Sequence, residues 1–351
     1  MHKEEAQRRV DRMLAFREEL AQVESEGLLS LTEEERRRLD SYHRGIQSEL
    51  ARLFDIDVTG TEKQLSWGMR IVSLLGSLAI SAAIFFFFYR FWGLLTTSVQ
   101  VAILIAAPLL ATIAADFAAR RERSGYFTGI LALVALTCFI LNLSVIGQIF
   151  NITPSQNAFL AWSAFAFLFA YGYGLRLMLV AGMLCLLAFL AATVGTWSGC
   201  YWLSFGERPE NFVVAGTLLT LVPLIPHRRH SHFAAGYRVF GLLTVFIAIL
   251  ILANWGGSSY LPGSPELIEY GYQTAGFVLA AGAIALGIRR RWSGVTNLSA
   301  TFFVLYLYTK FFDWWWDWLP KYLFFLLLGL VAIGLLLVLK RLRGSHQGAR
   351  P

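Results

Sequence analysis

The chain has 351 residues, of which 56% are hydrophobic and 15% charged, with a formal charge of +7. That apolar share, with a positive mean hydropathy, excludes an ordinary soluble globular domain. The charge is split: residues 1–70 hold 12 Lys/Arg against 15 Asp/Glu, and residues 71–351 hold 18 against 8. The basic excess therefore lies in the apolar part. There it reads as a topology signal and not as a nucleic-acid footprint, since no aromatic-basic RNA motif accompanies it. Cys138, Cys185 and Cys200 are scattered, which provides neither a disulfide framework nor a metal spacing.

Residues 3–25 read as an amphipathic helix with an apolar stripe of Val10, Met13, Leu14, Leu20 and Val23. Gly27 is a natural stop. Thr32 followed by Glu35 has the form of a capping box. A second helix runs to about Phe54, with Leu39, Tyr42, Ile46, Leu50 and Leu53 at spacings of three and four. Two such helices make an αα-hairpin. It is small, so it is expected to fold against itself, a second copy or the membrane part, with residues 3–54 also open to a cytoplasmic partner. Residues 55–64 are expected as a polar linker. The first 65 residues are too charged for a secretory leader, so this part is expected in the cytoplasm.

Ten apolar segments follow, at roughly 69–91, 94–116, 126–150, 157–174, 176–194, 211–227, 236–255, 267–288, 295–313 and 320–340. A helix needs about 20 apolar residues to cross roughly 30 Å of hydrocarbon. The fourth and fifth segments are parted only by a Tyr-Gly-Tyr-Gly-Leu-Arg turn at 171–176, and the sixth is short and carries Pro223 and Pro226. With the N-terminus inside, the inner connections and tail hold fourteen Lys/Arg, and the outer ones hold four: Arg90, Arg208, Lys310 and Lys321. This bias predicts both termini in the cytoplasm. The expected fold is thus all-α: a polytopic transmembrane bundle of about ten spans (65–342), an N-terminal cytoplasmic αα-hairpin (1–64) and a short basic tail (343–351).

Two constellations stand out as candidate sites. In the third span Thr137, Ser144, Gln148 and Asn151 fall at offsets of seven, four and three, on one helix face. Amides in hydrocarbon are costly unless paired, so this face is expected to look into the bundle. It forms either interhelical hydrogen bonds or a polar wall of a solute path. At the junction of the ninth and tenth spans, Lys310, Asp313 and Asp317 share a face, and Trp314, Trp315, Trp316 and Trp318 sweep the other directions. The Trp residues fit an interfacial aromatic belt. The ionisable groups at a membrane boundary are a default site hypothesis, and Lys310 is positioned to pair with Asp313.

Other features have plainer readings. Ser73, Ser77 and Ser81 give a small-residue packing stripe on the first span. Asp116 is expected to form an ion pair with the Arg120–Arg123 cluster. His227, His230 and His232 lie in one connection beside Arg228 and Arg229, which would repel a cation, so no metal site is assigned. No cofactor motif such as a P-loop or nucleophile elbow occurs.

Three stretches carry a family likeness. They are Glu26-Gly27-Leu28-Leu29-Ser30, then Ile146-Gly147-Gln148-Ile149-Phe150-Asn151-Ile152, and the end running from Phe312-Asp313 through Asp317-Trp318-Leu319-Pro320 to Phe324-Phe325. The chain resembles a bacterial family of multi-pass membrane proteins catalogued only as a domain of unknown function. The resemblance implies a bacterial inner membrane protein with the lipid bilayer as its surroundings. It implies no reaction, substrate or catalytic residue. Three functions compete: a transport-like protein for a small solute or lipid-related substrate, a non-catalytic scaffold or sensor using the hairpin, and an outer-face lipid or glycan enzyme with Asp313 and Asp317 as acid and base.

Overall fold

The computed structural model describes residues 3–54, 60–122, 125–153, 155–197, 208–225, 230, 232–316, 318–330 and 333–334. Among them every regular element is helical. The chain divides into two compact units, Met1–Gly182 and Met183–Pro351.

The first unit begins with α1 (Lys3–Ser25) and α2 (Glu33–Phe54). Ala6, Val10 and Leu50 form their buried seam, with Leu14 and Ile46 against it. Tyr42, expected in the stripe, is instead exposed, and its neighbours His43 and Gln47 are buried. The turn is held by ion pairs Arg36–Glu24 (2.6 Å) and Arg17–Asp40 (3.1 Å).

The capping box forms: the Glu35 amide donates to Thr32 Oγ1 (3.3 Å), and the Thr32 amide donates to Glu35 Oε2 (3.0 Å). Hydrogen bonds from Thr32 hold the Glu35 carboxyl below its ordinary pKa. A depressed carboxylate pKa stabilises the fold above the ordinary value, and the gain is lost as pH falls through the depressed one. We therefore expect the first turn of α2 to fray below about pH 4, in the range of an ordinary Glu pKa and under. Thr32→Ala should already show the frayed state at neutral pH. Hydrogen exchange at Glu35 and Arg36, corrected for intrinsic pH dependence, measures this, and a pH-independent wild type would contradict it.

The helix α3 spans Gly60–Phe91, so half of the expected linker is helical. At 32 residues it is about 48 Å long, more than a bilayer core requires. Next come α4 (Thr97–Arg121), α5 (Tyr126–Ile149), α6 (Asn157–Tyr173) and the start of α7 (Arg176–Trp197). The α4 and α5 helices pack closely, and α3 lies along α5. The serine stripe makes that second contact: Ser77 is buried, Ser73 Oγ donates to the Tyr126 carbonyl (3.3 Å), and Thr137 Oγ1 donates to Ser81 Oγ (3.1 Å). Phe139 of α5 stacks on Phe165 of α6 at 4.5 Å. The turn between α6 and α7 is real. Gly174 adopts a left-handed φ of +71°, and the Leu175 amide returns to the Ala170 carbonyl (3.1 Å), closing α6 as a Schellman-type end.

The second unit contains α8 (Glu210–Leu221, continued as a 3-10 turn Val222–Leu224), α9 (Phe233–Leu252), α10 (Pro265–Arg290), α11 (Ser293–Trp315) and the short apolar α12 (Lys321–Leu330). Its core joins Phe246 and Ile249 of α9, Ala280 of α10, and Phe302 and Tyr306 of α11. The Tyr306 hydroxyl donates to the Phe246 carbonyl (2.8 Å), so the one polar atom of that ring is satisfied.

Among the described residues, each of the ten apolar segments contains a helix. Among the described residues, six helices are long and apolar enough to cross a membrane: residues 71–94, α4, α5, 176–195, α9 and α10. The α8 helix and the described part of α12 are shorter, as is the 17-residue α6, and α11 carries the Lys310–Asp313 pair. The chain is an all-α polytopic membrane bundle.

Candidate functional site

Thr137, Ser144 and Gln148 of α5 and Asn151 just beyond it do not act as one inward face. Thr137 is half-buried and bonds to Ser81, which fits the interhelical hydrogen-bond reading. Ser144 and Gln148 are exposed and so are not shielded by the described helices. Asn151 ends the helix. It sits at φ +56°, and beyond it the Ile152 amide returns to the Gly147 carbonyl (2.8 Å). Asn tolerates the left-handed region because its short side chain bonds locally, and it is common just past a helix end.

A residue that the spacing argument passed over does the polar work here. Asn142 Nδ2 donates to the Leu104 carbonyl of α4 (2.7 Å). Pro108 lies four residues on, inside α4, and has no N–H to offer that carbonyl. Asn142 supplies the missing donor from the neighbouring helix. Asp116 behaves as the plainer reading expects: it pairs with Arg120 (2.7 Å) and accepts from the Tyr173 hydroxyl (3.2 Å).

In the second unit Lys310 is buried, and its ammonium lies 2.8 Å from Asp313 Oδ2. Asp313 itself is exposed. Asp317 lies outside the described residues. Trp315 and Trp316 are half-buried and Trp318 is 79% exposed. Lys321 Nζ sits 3.6 Å over the Trp316 ring, which anchors the α11–α12 turn by a cation–π contact.

The same end of this unit, where α8 and α10 begin and α9 and α11 end, holds a second cluster. Glu210 opens α8. Its Oε1 accepts from Ser259 Oγ, from the Tyr260 amide (2.9 Å) and from the Tyr272 hydroxyl (3.4 Å). Its Oε2 is buried and accepts no hydrogen bond from the described residues. Arg208 donates to the Ser259 carbonyl and lies 4.7 Å over the Tyr260 ring. Asn211 donates to the Tyr260 hydroxyl (2.9 Å), and Glu269 accepts from the Gly256 amide (2.9 Å). Arg208 also adopts a left-handed φ of +47°, a backbone cost of order 1–3 kcal/mol for a non-glycine residue. One carboxylate oxygen is crowded with donors and the other has none among the described residues, so the site can still take a hydrogen-bond donor or a cation.

In the sequence Arg208 stands out only as an outer charge, and Glu210 does not stand out at all. Its partners lie 49 to 62 residues away, so no local spacing marks them. The one available signal was an acidic residue directly after Pro209 at a helix start. The expected histidine connection is partly visible: His230 stacks on Phe233 at 5.0 Å and His232 meets the same ring edge-on at 4.5 Å, while His227 lies outside the described residues.

Apolar helices of spanning length and internally bonded polar groups define a multi-pass α-helical membrane protein. Residues 26–180 match the family described as "Predicted membrane protein (DUF2157)". The match includes the first two stretches that carried the resemblance, and the Phe312–Phe325 stretch lies beyond it. No curated protein and no solved structure matches the chain.

Proposed function

We propose that this membrane protein is transport-like and that it receives a small cationic or donor-bearing solute at the Glu210 cluster. The observation that carries the reading is the buried Oε2 of Glu210, which accepts no hydrogen bond from the described residues, beside a fully engaged Oε1. A buried carboxylate oxygen without a donor costs about 1–3 kcal/mol or more, which a bound ammonium or hydroxyl would recover. Of the side chains bonded within this cluster, Glu210 and Glu269 are acidic and Arg208 is basic, which leaves one net negative charge. We place this end outside and both termini in the cytoplasm of a bacterial inner membrane. The fourteen-to-four charge bias supports that orientation. Thr137 then belongs to packing and Asn151 to helix ending, Ser144 and Gln148 face away from the described helices, and Lys310 and Asp313 lie at the same end of their unit as the solute site.

Uptake by liposomes carrying the full chain tests this, with labelled methylammonium and ethanolamine as probes and glycerol as the uncharged control. Saturable uptake of one amine, reduced at least tenfold by Glu210→Gln, is the expected result. Amine uptake no faster than in protein-free liposomes would overturn it.

A second reading, a scaffold acting through the hairpin, is favoured by one observation. Phe16 and Tyr42 are exposed beside the buried His43, whose Nδ1 accepts no hydrogen bond from the described residues. This reading assigns residues 3–54 to a second copy or a cytoplasmic partner. A chain starting at Thr61 that keeps amine uptake separates the two. The acid–base reading of Asp313 and Asp317 draws no support from the described residues.

A further inference from the structure

Resting on the reading of the Glu210 cluster as an amine site, we infer that Arg208 sets the charge of its solute. Arg208 stands in for a second ammonium, so the site takes singly charged amines and turns diamines away. The segment from Gly256 to Tyr260 engages two carboxylates. The Gly256 amide donates to Glu269 Oε1 (2.9 Å), and three residues on Ser259 Oγ and the Tyr260 amide donate to Glu210 Oε1. The α10 helix links the same pair. Glu269 and Tyr272 share one of its faces, and the Tyr272 hydroxyl donates to Glu210 Oε1 (3.4 Å). Two carboxylates gathered on one short segment are the electrostatic complement of a dication.

One cation is already built in. Arg208 donates to the Ser259 carbonyl, and its guanidinium lies 4.7 Å over the Tyr260 ring. Ser259 and Tyr260 are the two residues that also hold Glu210. Arg208 therefore shares its anchors with the carboxylate but does not donate to it: the donors to Oε1 are Ser259, Tyr260 and Tyr272, and Oε2 accepts from none of the described residues. Asn211 keeps the arginine in place. Its Nδ2 donates both to the Arg208 carbonyl (3.1 Å) and to the Tyr260 hydroxyl (2.9 Å), which ties the Arg208 backbone to the ring beneath its own guanidinium. That clasp holds a non-glycine residue at a φ of +47°.

Charge then selects the solute. Two acids and one fixed cation leave a single negative charge to be matched, and the buried Oε2 of Glu210 is the atom still open to a donor. A monoamine brings one positive charge and completes the balance. A diamine brings a second ammonium into a cluster that already holds a guanidinium, where like charges repel more strongly than in water. The guanidinium cannot lose its proton to relieve this. A hydroxyl at the far end of the solute meets no such repulsion, so the discrimination falls on charge and not on length or polarity.

The test uses liposomes carrying the full chain and labelled ethanolamine, with unlabelled propanolamine and trimethylenediamine as competitors. These two match in length and differ only at one end, hydroxyl against ammonium. In the wild type propanolamine should half-inhibit uptake at a concentration about tenfold below that of the diamine. Arg208→Gln should lower the diamine's half-inhibitory concentration about tenfold and leave that of propanolamine within about threefold. This is a gain that a collapsed site does not produce. Arg208→Lys keeps the charge and should keep the wild-type discrimination. If Arg208→Gln does not assemble, Arg208→Met takes its place with the same expectation. Equal competition by the two compounds in the wild type overturns the inference, as does a lysine variant that behaves like the glutamine one. Uptake that depends on Glu210, with discrimination unmoved in Arg208→Gln, overturns this inference alone. Ethanolamine uptake no faster than in protein-free liposomes sinks the amine reading and this inference with it.

Discussion

Gly241→Ala should cost the second unit about 3 kcal/mol, the upper end of ordinary overpacking effects. A Cβ at Gly241 would meet the Thr220 hydroxyl, and would lie 2.6 Å from both the Gly216 carbonyl and the Thr220 amide. These last two are backbone atoms of α8, and backbone cannot rotate away. The contact is reciprocal, because a Cβ at Gly216 would lie 2.6 Å from the Gly241 carbonyl. The α8 and α9 helices cross backbone to backbone here, in the way small residues allow in membranes. Thermal unfolding in detergent, followed by size exclusion, measures the loss. Gly282 of α10 has no atom within 4 Å of its built Cβ. Gly282→Ala should leave stability unchanged or raise it by about 0.5–1 kcal/mol. Equal effects at the two positions would mean that the crossing is not close.

Asn142→Leu should destabilise the first unit by about 1–2 kcal/mol, near the upper end for interhelical hydrogen bonds in membranes. The Leu104 carbonyl would be left without a donor in hydrocarbon, since Pro108 has none to give. The same substitution in a Pro108→Ala background should cost under about 0.5 kcal/mol, because the backbone amide that the alanine introduces takes the carbonyl over. The difference is the coupling energy between the two positions. Unfolding of the reconstituted chain, measured on all four members of the cycle, checks it. Equal costs in both backgrounds would show that Asn142 is not the surrogate donor for the proline break.

Some of the site was legible without tertiary information, because it rests on neighbours in the chain. Lys310 and Asp313 are three residues apart on a helix, and their pairing follows from that spacing. The Thr32–Glu35 capping box is likewise local. Ser144 and Gln148 show where such reasoning stops. Periodicity puts them on one face, but which helix covers that face is a property of the packing, and the described helices leave both exposed. Asn151 looked like the end of a polar wall. Its backbone conformation explains it instead, and no pattern of polarity encodes a left-handed φ.

The sequence by itself determined the class of this protein, its helical segments and the hairpin, because apolar length, turn residues and capping act over a few residues. Only the tertiary structure decided which polar groups meet. Glu210 is joined to Ser259, Tyr260 and Tyr272 across three helix ends, Asn142 answers a proline in another helix, and Gly216 faces Gly241 across a crossing. The physical reason is the same in each case. A buried donor, acceptor or missing side chain acquires its meaning from the atom opposite it, and that atom is placed by packing between segments far apart in the chain.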